Sequence, residues 1–158
     1  TEDFTLECWV KSDDLGAGDW LSWEHSGGGS ALIGNADQSG GTVYWSFGPI
    51  NNGNLCFYYY NGSIQKVTST GTISDGTWTH IAMSYVHSTG AIKLFIGGTL
   101  DGSGTKSGTP QSSTGEPLVI GQIWGSPILG WVDDLRITKG TARYTSSFTP
   151  PSSEFPDQ

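Results

Sequence analysis

The chain has 158 residues, the length of about one domain, and it combines 24 glycines with a net charge of −8. Its seven Lys and Arg residues are scattered, which argues against nucleic acid or an anionic membrane as a partner, because phosphate binding needs a clustered basic surface. No apolar run approaches the roughly 18 residues of a membrane span, and no secretory signal opens the sequence. Thr1 leads directly into strand-like sequence, which predicts a piece of a longer polypeptide.

Short alternating runs of apolar and polar residues predict strands, and no run shows the 3.6-residue period and the caps of a helix. Turns rich in Gly, Asn, Asp and Ser separate the runs at a spacing of about ten residues, which is typical of a sandwich or jelly roll. We therefore predict an all-β fold, an antiparallel β-sandwich of the jelly-roll type. In chain order the predicted strands are FTLECWVK, DWLSWEH, TVYWSFG, NLCFYYY, SIQKVTS, WTHIAMSYVH, AIKLFIGG, PLVIGQI and GWVDDLRIT.

The alternation is clearest in WTHIAMSYV, residues 78–86. It predicts that one face of this strand packs into the core while the other stays wet, with Trp78, His80, Ala82 and Ser84 facing opposite to Thr79, Ile81, Met83 and Tyr85. His80 is expected to pack against the core. YYYNGSIQ and YVHSTGAIKLFI each predict a hairpin. The glycine-rich residues 97–115 predict an irregular connection between the sheets, with a flexible ligand loop as the alternative.

Two cysteines, Cys8 and Cys56, lie inside apolar strand-like runs. That setting favours buried free thiols, although one disulfide is the alternative.

Sugar binding is the function with the most support from the residues themselves. A pyranose stacks its C–H face on an aromatic ring and gives its hydroxyls to amide, carboxylate and hydroxyl groups. Seven Trp and six Tyr residues occur here, many beside Asn, Gln, Asp or Gly. The alternative is that these rings fill the core. We predict stacking rings at Trp124, Tyr58 and Tyr60, with Asn61, Gln122 and Asp101 as polar partners.

Glycoside hydrolysis would need two carboxyl groups about 5–10 Å apart across the sugar. Glu24 and His25 come nearest to an acid–base pair, but adjacent residues of a strand point to opposite faces. No nucleophile, zinc or phosphate-loop motif is present. We therefore expect no enzymatic activity and no catalytic residue.

Three stretches together resemble one family. They are DFTLECWVK, DGTWTHIAMSYVHSTGAIKLFIGG, and LVIGQIWGSPILGWVDDLRITKGTARYTSSFTPP. Asp75, Gly76, Trp78 and His80 stand in the places of a core-hairpin motif, and Val132, Asp133, Asp134, Arg136 and Ile137 in those of the last strand. The chain thus resembles the laminin-G-like, concanavalin-A-like jelly rolls, over residues 1–158. Its TKGTARYTSSFTPP tail is similar to a subgroup found in structural and tail-associated proteins of bacteriophages.

The resemblance implies that the last strand pairs beside the first, and that residues 139–158 form an extended tail packed on the sandwich, with Tyr144 and Phe148 as apolar pegs. It also implies a structural Ca²⁺, for which Asp3, Asp133 and Asp134 are the candidate ligands at the chain ends and Asp13 and Asp14 those at a rim. The alternative is that these carboxylates cap turns, occupy a bulge, or pair with Lys or Arg.

Two functions follow as hypotheses. The first is a carbohydrate-binding or adhesion module of a virion or another extracellular structural protein, with a cell-surface carbohydrate as its partner. The second is a non-catalytic decoration or spacer domain that binds other structural protein chains, with a homo-oligomer as one form. Both place the protein outside a cell or on a virion surface.

Overall fold

The computed structural model describes residues 2–15, 32–36, 43–50, 52–111, 115–122 and 128–155, and every regular element in those ranges is a strand. Within these ranges no helix is long and apolar enough to cross a membrane. The predicted strand DWLSWEH, with Glu24 and His25, lies outside the described residues. The strands are β1 (Phe4–Ser12), β2 (Ile33–Ala36), β3 (Val43–Pro49), β4 (Asn54–Tyr60), β5 (Ile64–Thr72), β6 (Thr79–Val86), β7 (Ala91–Ile96), β8 (Thr99–Thr105), β9 (Leu118–Ile120) and β10 (Gly130–Lys139).

The strands form two antiparallel five-stranded sheets. The first has the order β10-β1-β6-β7-β8 and the second the order β5-β4-β3-β2-β9. The all-β sandwich is thereby confirmed. So are both hairpins, because β4 pairs with β5 and β6 pairs with β7. The last strand does pair with the first, from Phe4 opposite Lys139 to Ser12 opposite Gly130.

The main core lies between the sheets, where every second side chain of a strand points inward and meets those of the other sheet. On β6 the inward residues Ile81, Met83 and Tyr85 are buried in this core, as the alternation predicts. On the opposite face His80 is buried as expected, but Ser84 is buried too, so the predicted wet face is absent along β6. The reason is a second layer formed by the end of the chain.

The glycine-rich residues 97–115 contain a full strand, β8, so the prediction of an irregular connection is wrong for its first part. The glycines made this segment look irregular, but they are needed because β8 packs closely against the other sheet. A Cβ on Gly102 would lie 2.9 Å from the carbonyl oxygen of Thr68, and one on Gly104 would lie 2.9 Å from Val67 Cγ2. The low strand propensity of glycine is therefore overridden by the packing of β8 against β5.

Cys8 and Cys56 are both buried and free, so the free-thiol interpretation is confirmed. Burial raises the pKa of both thiols, which keeps them protonated and unreactive at neutral pH.

The end of the chain, residues 140–155, runs as an extended layer over the outer face of the first sheet; we call it the tail. The backbone amide of Arg143 donates to Thr5 Oγ1 at 2.9 Å, and that of Tyr144 donates to Ser84 Oγ at 3.3 Å. Tyr144 and Phe148 stack on each other at 3.6 Å, and both pack edge-on against Phe95. Ring packing and short polar contacts together hold the tail to the sheet.

Gly98 is the point where the tail touches the β7–β8 turn. Its φ is +77°, its carbonyl accepts the amide of Phe148 at 2.8 Å, and a Cβ there would collide with the Phe148 carbonyl oxygen. We expect Gly98→Ala to cost about 1–2 kcal/mol more than Gly97→Ala, whose φ is also positive but whose Cβ would meet open space. Urea denaturation measures the difference, and tryptic cleavage after Arg143 reports a released tail. Equal costs for the two variants would show that the contact with the tail does not matter.

A candidate carbohydrate-binding groove

One open groove on the outer face of the first sheet combines aromatic rings with carboxylates. Its lining residues are Trp9, Trp78, Asp133, Asp134 and residues 151–154, and its volume is about 410 Å³. We call it the Trp9–Trp78 groove. Trp78 is 43% exposed, so a large part of its side chain is available to a ligand.

Trp9 is held in place by its neighbours across the sheet. It lies opposite Asp133 on β10 and opposite His80 on β6. Its ring meets the His80 ring edge to face, with centroids 5.4 Å apart, and His80 meets Phe148 of the tail in the same way at 5.7 Å. This packing fixes the half-buried Trp9 side chain where β1 borders the groove.

Trp78 is positioned by the turn that leads into β6. The Asp75 carboxylate accepts the amide of Leu15 at 2.9 Å, and the amide of Gly76 donates to the carbonyl of Ser12 at 2.7 Å. Gly76 has a φ of +72°, which favours glycine at that position. The turn is thus tied to the end of β1, and Trp78 is brought beside Trp9.

A β-bulge brings two consecutive aspartates to the groove. Glu7 lies opposite Arg136 and Trp9 opposite Asp133, so β10 has one residue more than β1 between these pairs. Among the described non-glycine residues, Asp134 alone has a positive φ, of 49°. Consecutive residues of a regular strand would point to opposite faces. The left-handed Asp134 therefore explains how both carboxylates line one groove, and its amide donates to Asp133 Oδ1 at 2.9 Å.

The tail forms the second wall of the groove. Residues 151–154 contribute a proline ring, two serine side chains and the Glu154 carboxylate. Just beyond them, the guanidinium of Arg136 lies 3.6 Å from the centre of the Phe155 ring. The shape of the groove therefore depends on the docking of the tail.

A buried carboxylate, Glu7, lies under the tail. Arg136 donates to its Oε1 from Nε at 2.8 Å and approaches it with Nη2 at 2.7 Å, while the Tyr144 hydroxyl donates to its Oε2 at 2.7 Å. His80 Nε2 is 3.3 Å from Oε2 but is not aligned for a hydrogen bond. We call Glu7, His80, Arg136 and Tyr144 the Glu7 cluster.

The cluster decides the charge of Glu7. Burial opposes ionisation and would raise the pKa of the carboxyl group, but the contacts with His80, Tyr144 and Arg136 outweigh it and hold that pKa below its ordinary value of 4.5. Burial and the bond to Glu7 raise the pKa of Tyr144 to about 12, so its hydroxyl remains a donor at neutral pH. Glu7 is therefore an ionised anchor for the tail.

Of the rings predicted for sugar stacking, Tyr58 and Tyr60 do not line this groove. Trp124 lies outside the described residues. Tyr58 does face away from the main core, but it is only 6% exposed because it packs in a second apolar cluster with Ala36 and Val43. Tyr60 is half-buried against the same cluster. As a correction, Tyr58 offers no open ring face, because the outer face of the second sheet is itself packed.

The polar partners predicted for those rings serve local structure. Asn61 donates to the Ser107 carbonyl and accepts from the amide of Ser63, and the Asp101 carboxylate accepts the amide of Gly71. Gln122 is exposed just after β9, three strands away from β4 in the second sheet, or about 14 Å. These residues do not converge on one site.

The candidate calcium ligands are also separated. Asp133 lies opposite Trp9, whereas Asp3 precedes Phe4 and accepts the amide of His87 at 2.8 Å, roughly 20 Å further along β1. Among the described residues, no group of three or more His, Cys, Asp or Glu side chains could hold a metal ion. Asp3 therefore does not fit a shared ion with Asp133 and Asp134. Calcium at Asp133 and Asp134 alone, completed by carbonyl or water oxygens, stays a prediction.

Trp9 and Trp78, which line the groove, were not among the rings predicted to bind sugar. The signal was present, because strand alternation puts both on the outer face, and Asp133 is aligned with Trp9 once the first and last strands are paired. The resemblance predicts that the tail packs on the sandwich, but not that residues 151–154 line a groove, because that depends on a backbone path without periodicity.

The whole of residues 1–143 matches the family model of the concanavalin A-like lectin/glucanases superfamily. The match ends before the tail wall of the groove. A curated relative, the Sushi, von Willebrand factor type A, EGF and pentraxin domain-containing protein 1 of Rattus norvegicus, is 31% identical over 120 residues, which is 75% of this chain. The chain spans only 3% of the length of that relative.

Two solved structures share the sandwich. Domain 4 of AbnA, a GH43 extracellular arabinanase from Geobacillus stearothermophilus, in complex with arabinotriose, superposes with a TM-score of 0.64 at 24% identity, over 89% of this chain and 63% of that one. The Ruminococcus gnavus IT-sialidase CBM40 bound to alpha2,3 sialyllactose gives 0.63 at 13% identity, over 87% and 75%. With a family match over most of its length and two sheets of the expected kind, the chain belongs to the concanavalin A-like lectin/glucanases superfamily, as a sandwich of the laminin G type.

Proposed function

We propose that the protein is a carbohydrate-binding module and that the Trp9–Trp78 groove holds the sugar. The observation that carries the proposal is the meeting of two tryptophans with carboxylate and serine side chains in one open groove. Such a lining offers a ring face for the C–H side of a sugar and acceptors for its hydroxyls. The solved neighbours with arabinotriose and sialyllactose support the same class of ligand on this fold.

The proposal includes binding without hydrolysis. Its support is the sequence, which carries no nucleophile, zinc or phosphate-loop motif. A setting outside the cell is part of the proposal, supported by the extracellular arabinanase among the neighbours. A virion surface that recognises host glycans is the narrower proposal, and it rests on the phage-like TKGTARYTSSFTPP tail.

Replacing Trp78 tests the site. On a glycan array, and then by calorimetry with the best ligand, we expect Trp78→Ala to weaken binding by about 2 kcal/mol, or about 30-fold in Kd. Trp131→Ala is the matched control, because Trp131 is 50% exposed but does not line the groove, and it should change Kd by less than about twofold. Equal losses in the two variants would move the site away from the groove.

A second candidate function is a decoration or spacer domain that binds sibling chains. It is favoured by the edge strand β9, where Leu118 and Ile120 are 46% and 52% exposed. Measurement of the mass in solution separates the two functions. A concentration-dependent oligomer that Ile120→Lys disperses, together with a blank glycan array, would favour the spacer.

A further inference from the structure

The charged residues that line the Trp9–Trp78 groove all have one sign. Asp133, Asp134 and Glu154 line it, and none of its lining residues is a cation. Arg136 lies close by, but it is bound to Glu7 and to the Phe155 ring. Lys11 is placed over the ring of Trp131, 4.9 Å from its centre. Neither cation therefore neutralises the groove.

Most oxygens of the groove carboxylates are also not used in hydrogen bonds within the described part of the protein. Asp133 uses Oδ1 for the amide of Asp134. Among the described residues, no donor bonds the carboxylate of Asp134 or that of Glu154. These oxygens are thus available to a ligand.

Two tryptophans beside unpaired carboxylates have a specific chemical preference. The face of a tryptophan ring attracts a cation, and a carboxylate beside the ring adds a charge pair with the same cation. A ligand carboxylate would be repelled by the same three groups. A neutral acetamido group would gain neither the charge pairing nor the cation–π contact.

Resting on the proposed function, we propose that the groove selects sugars that carry a protonated amino group. The ligand class is an amino sugar with a free amine, preferred over the N-acetylated form and over sugars with a carboxylate. The rings of Trp9 and Trp78 hold the sugar face, and Asp134 and Glu154 receive the ammonium group. The tail contributes to this selection through Glu154, so the preference for an amino sugar depends on the docking of the tail as well as on the sheet.

Calorimetry with three probes tests the inference. They are a β-1,4-linked glucosamine tetramer, the same tetramer fully N-acetylated, and alpha2,3 sialyllactose, all in EDTA so that calcium bridges no sugar to the carboxylates. We expect the free-amine tetramer to bind at least tenfold more tightly than its N-acetylated form, and sialyllactose most weakly. The preference should shrink at high salt, because partly exposed charges are screened.

A pair of variants with equal net charge separates the groove from the overall acidity of the protein. Asp134→Asn with Glu154→Gln removes two groove carboxylates, and asparagine tolerates the left-handed backbone at position 134. Glu2→Gln with Asp13→Asn removes two exposed carboxylates that do not line the groove. We expect the groove pair to lose the tenfold preference for the free-amine tetramer and the control pair to keep it.

The outcomes distinguish this inference from the proposed function. Equal binding of both tetramers, a preference for the N-acetylated or the sialylated probe, or equal losses in the two variant pairs would overturn the inference and leave a sugar-binding module standing. If none of the probes binds and a glycan array is also blank, the inference and the proposed function both fail.

Discussion

Replacing Arg136 with methionine is expected to destabilise the protein by about 3–5 kcal/mol, because it leaves the Glu7 carboxylate buried without its cation. Glu7 is fully buried, and Arg136 supplies its contacts at 2.7 and 2.8 Å. The loss should fall at the lower end of the range, since 17% of the Arg136 side chain is exposed and Tyr144 still donates to Glu7. Urea denaturation followed by far-UV circular dichroism measures it.

The double variant Glu7→Leu with Arg136→Met is the control. A buried ion pair replaced by apolar side chains of similar size is often neutral or stabilising, so the double variant should recover most of the lost free energy. Two equally unstable variants would mean that Arg136 acts through its packing on Phe155, 3.6 Å away, and not through the charge of Glu7.

Most strands and turns of the sandwich could be predicted from the sequence, because strand alternation and turn preferences are local properties. The β4–β5 hairpin turns at Asn61-Gly62-Ser63, and Gly62 has the positive φ that such a turn needs. By contrast, β8 was not predicted, because its glycines are required by close packing against β5, which is distant in sequence. Its assignment depends on a contact between sheets that no local pattern shows.

The site was less predictable than the fold, and the four consecutive residues from Phe57 to Tyr60 show why. Their alternation correctly turns Tyr58 away from the main core, yet a second apolar cluster covers it. Burial on an outer face depends on what packs there, and on the first sheet that layer is the tail. Glu7 shows the same limit. From sequence, a glutamate at an outward-facing strand position is expected to be solvated. In the structure it is bound by Arg136 and Tyr144, which lie more than 125 residues later in the chain.

Acid should loosen the attachment of the tail, with Glu7 as the group that responds. The folded pKa of Glu7 is lowered from its ordinary 4.5, so folding favours the ionised carboxylate. The stability that this carboxylate contributes is therefore fully present above about pH 4.5 and is lost as the pH falls through the folded pKa. Protonation removes the negative charge that Arg136 contacts at Oε1 and Tyr144 at Oε2, which weakens the layer that carries the tail wall of the groove.

The comparison of the protein with Glu7→Gln isolates this effect, because glutamine keeps the shape of the side chain without its charge. We expect the unmodified protein to be the more stable of the two at about pH 6, by an amount that shrinks steadily between about pH 4.5 and pH 3. Urea midpoints across this range measure the difference, and cleavage of the tail after Arg143 by a brief protease pulse after each incubation reports its release. A stability difference that stays constant from pH 6 to pH 3 would mean that Glu7 has the same pKa in the folded and the unfolded protein, so that its charge does not hold the tail and the stacked rings of Tyr144 and Phe148 do.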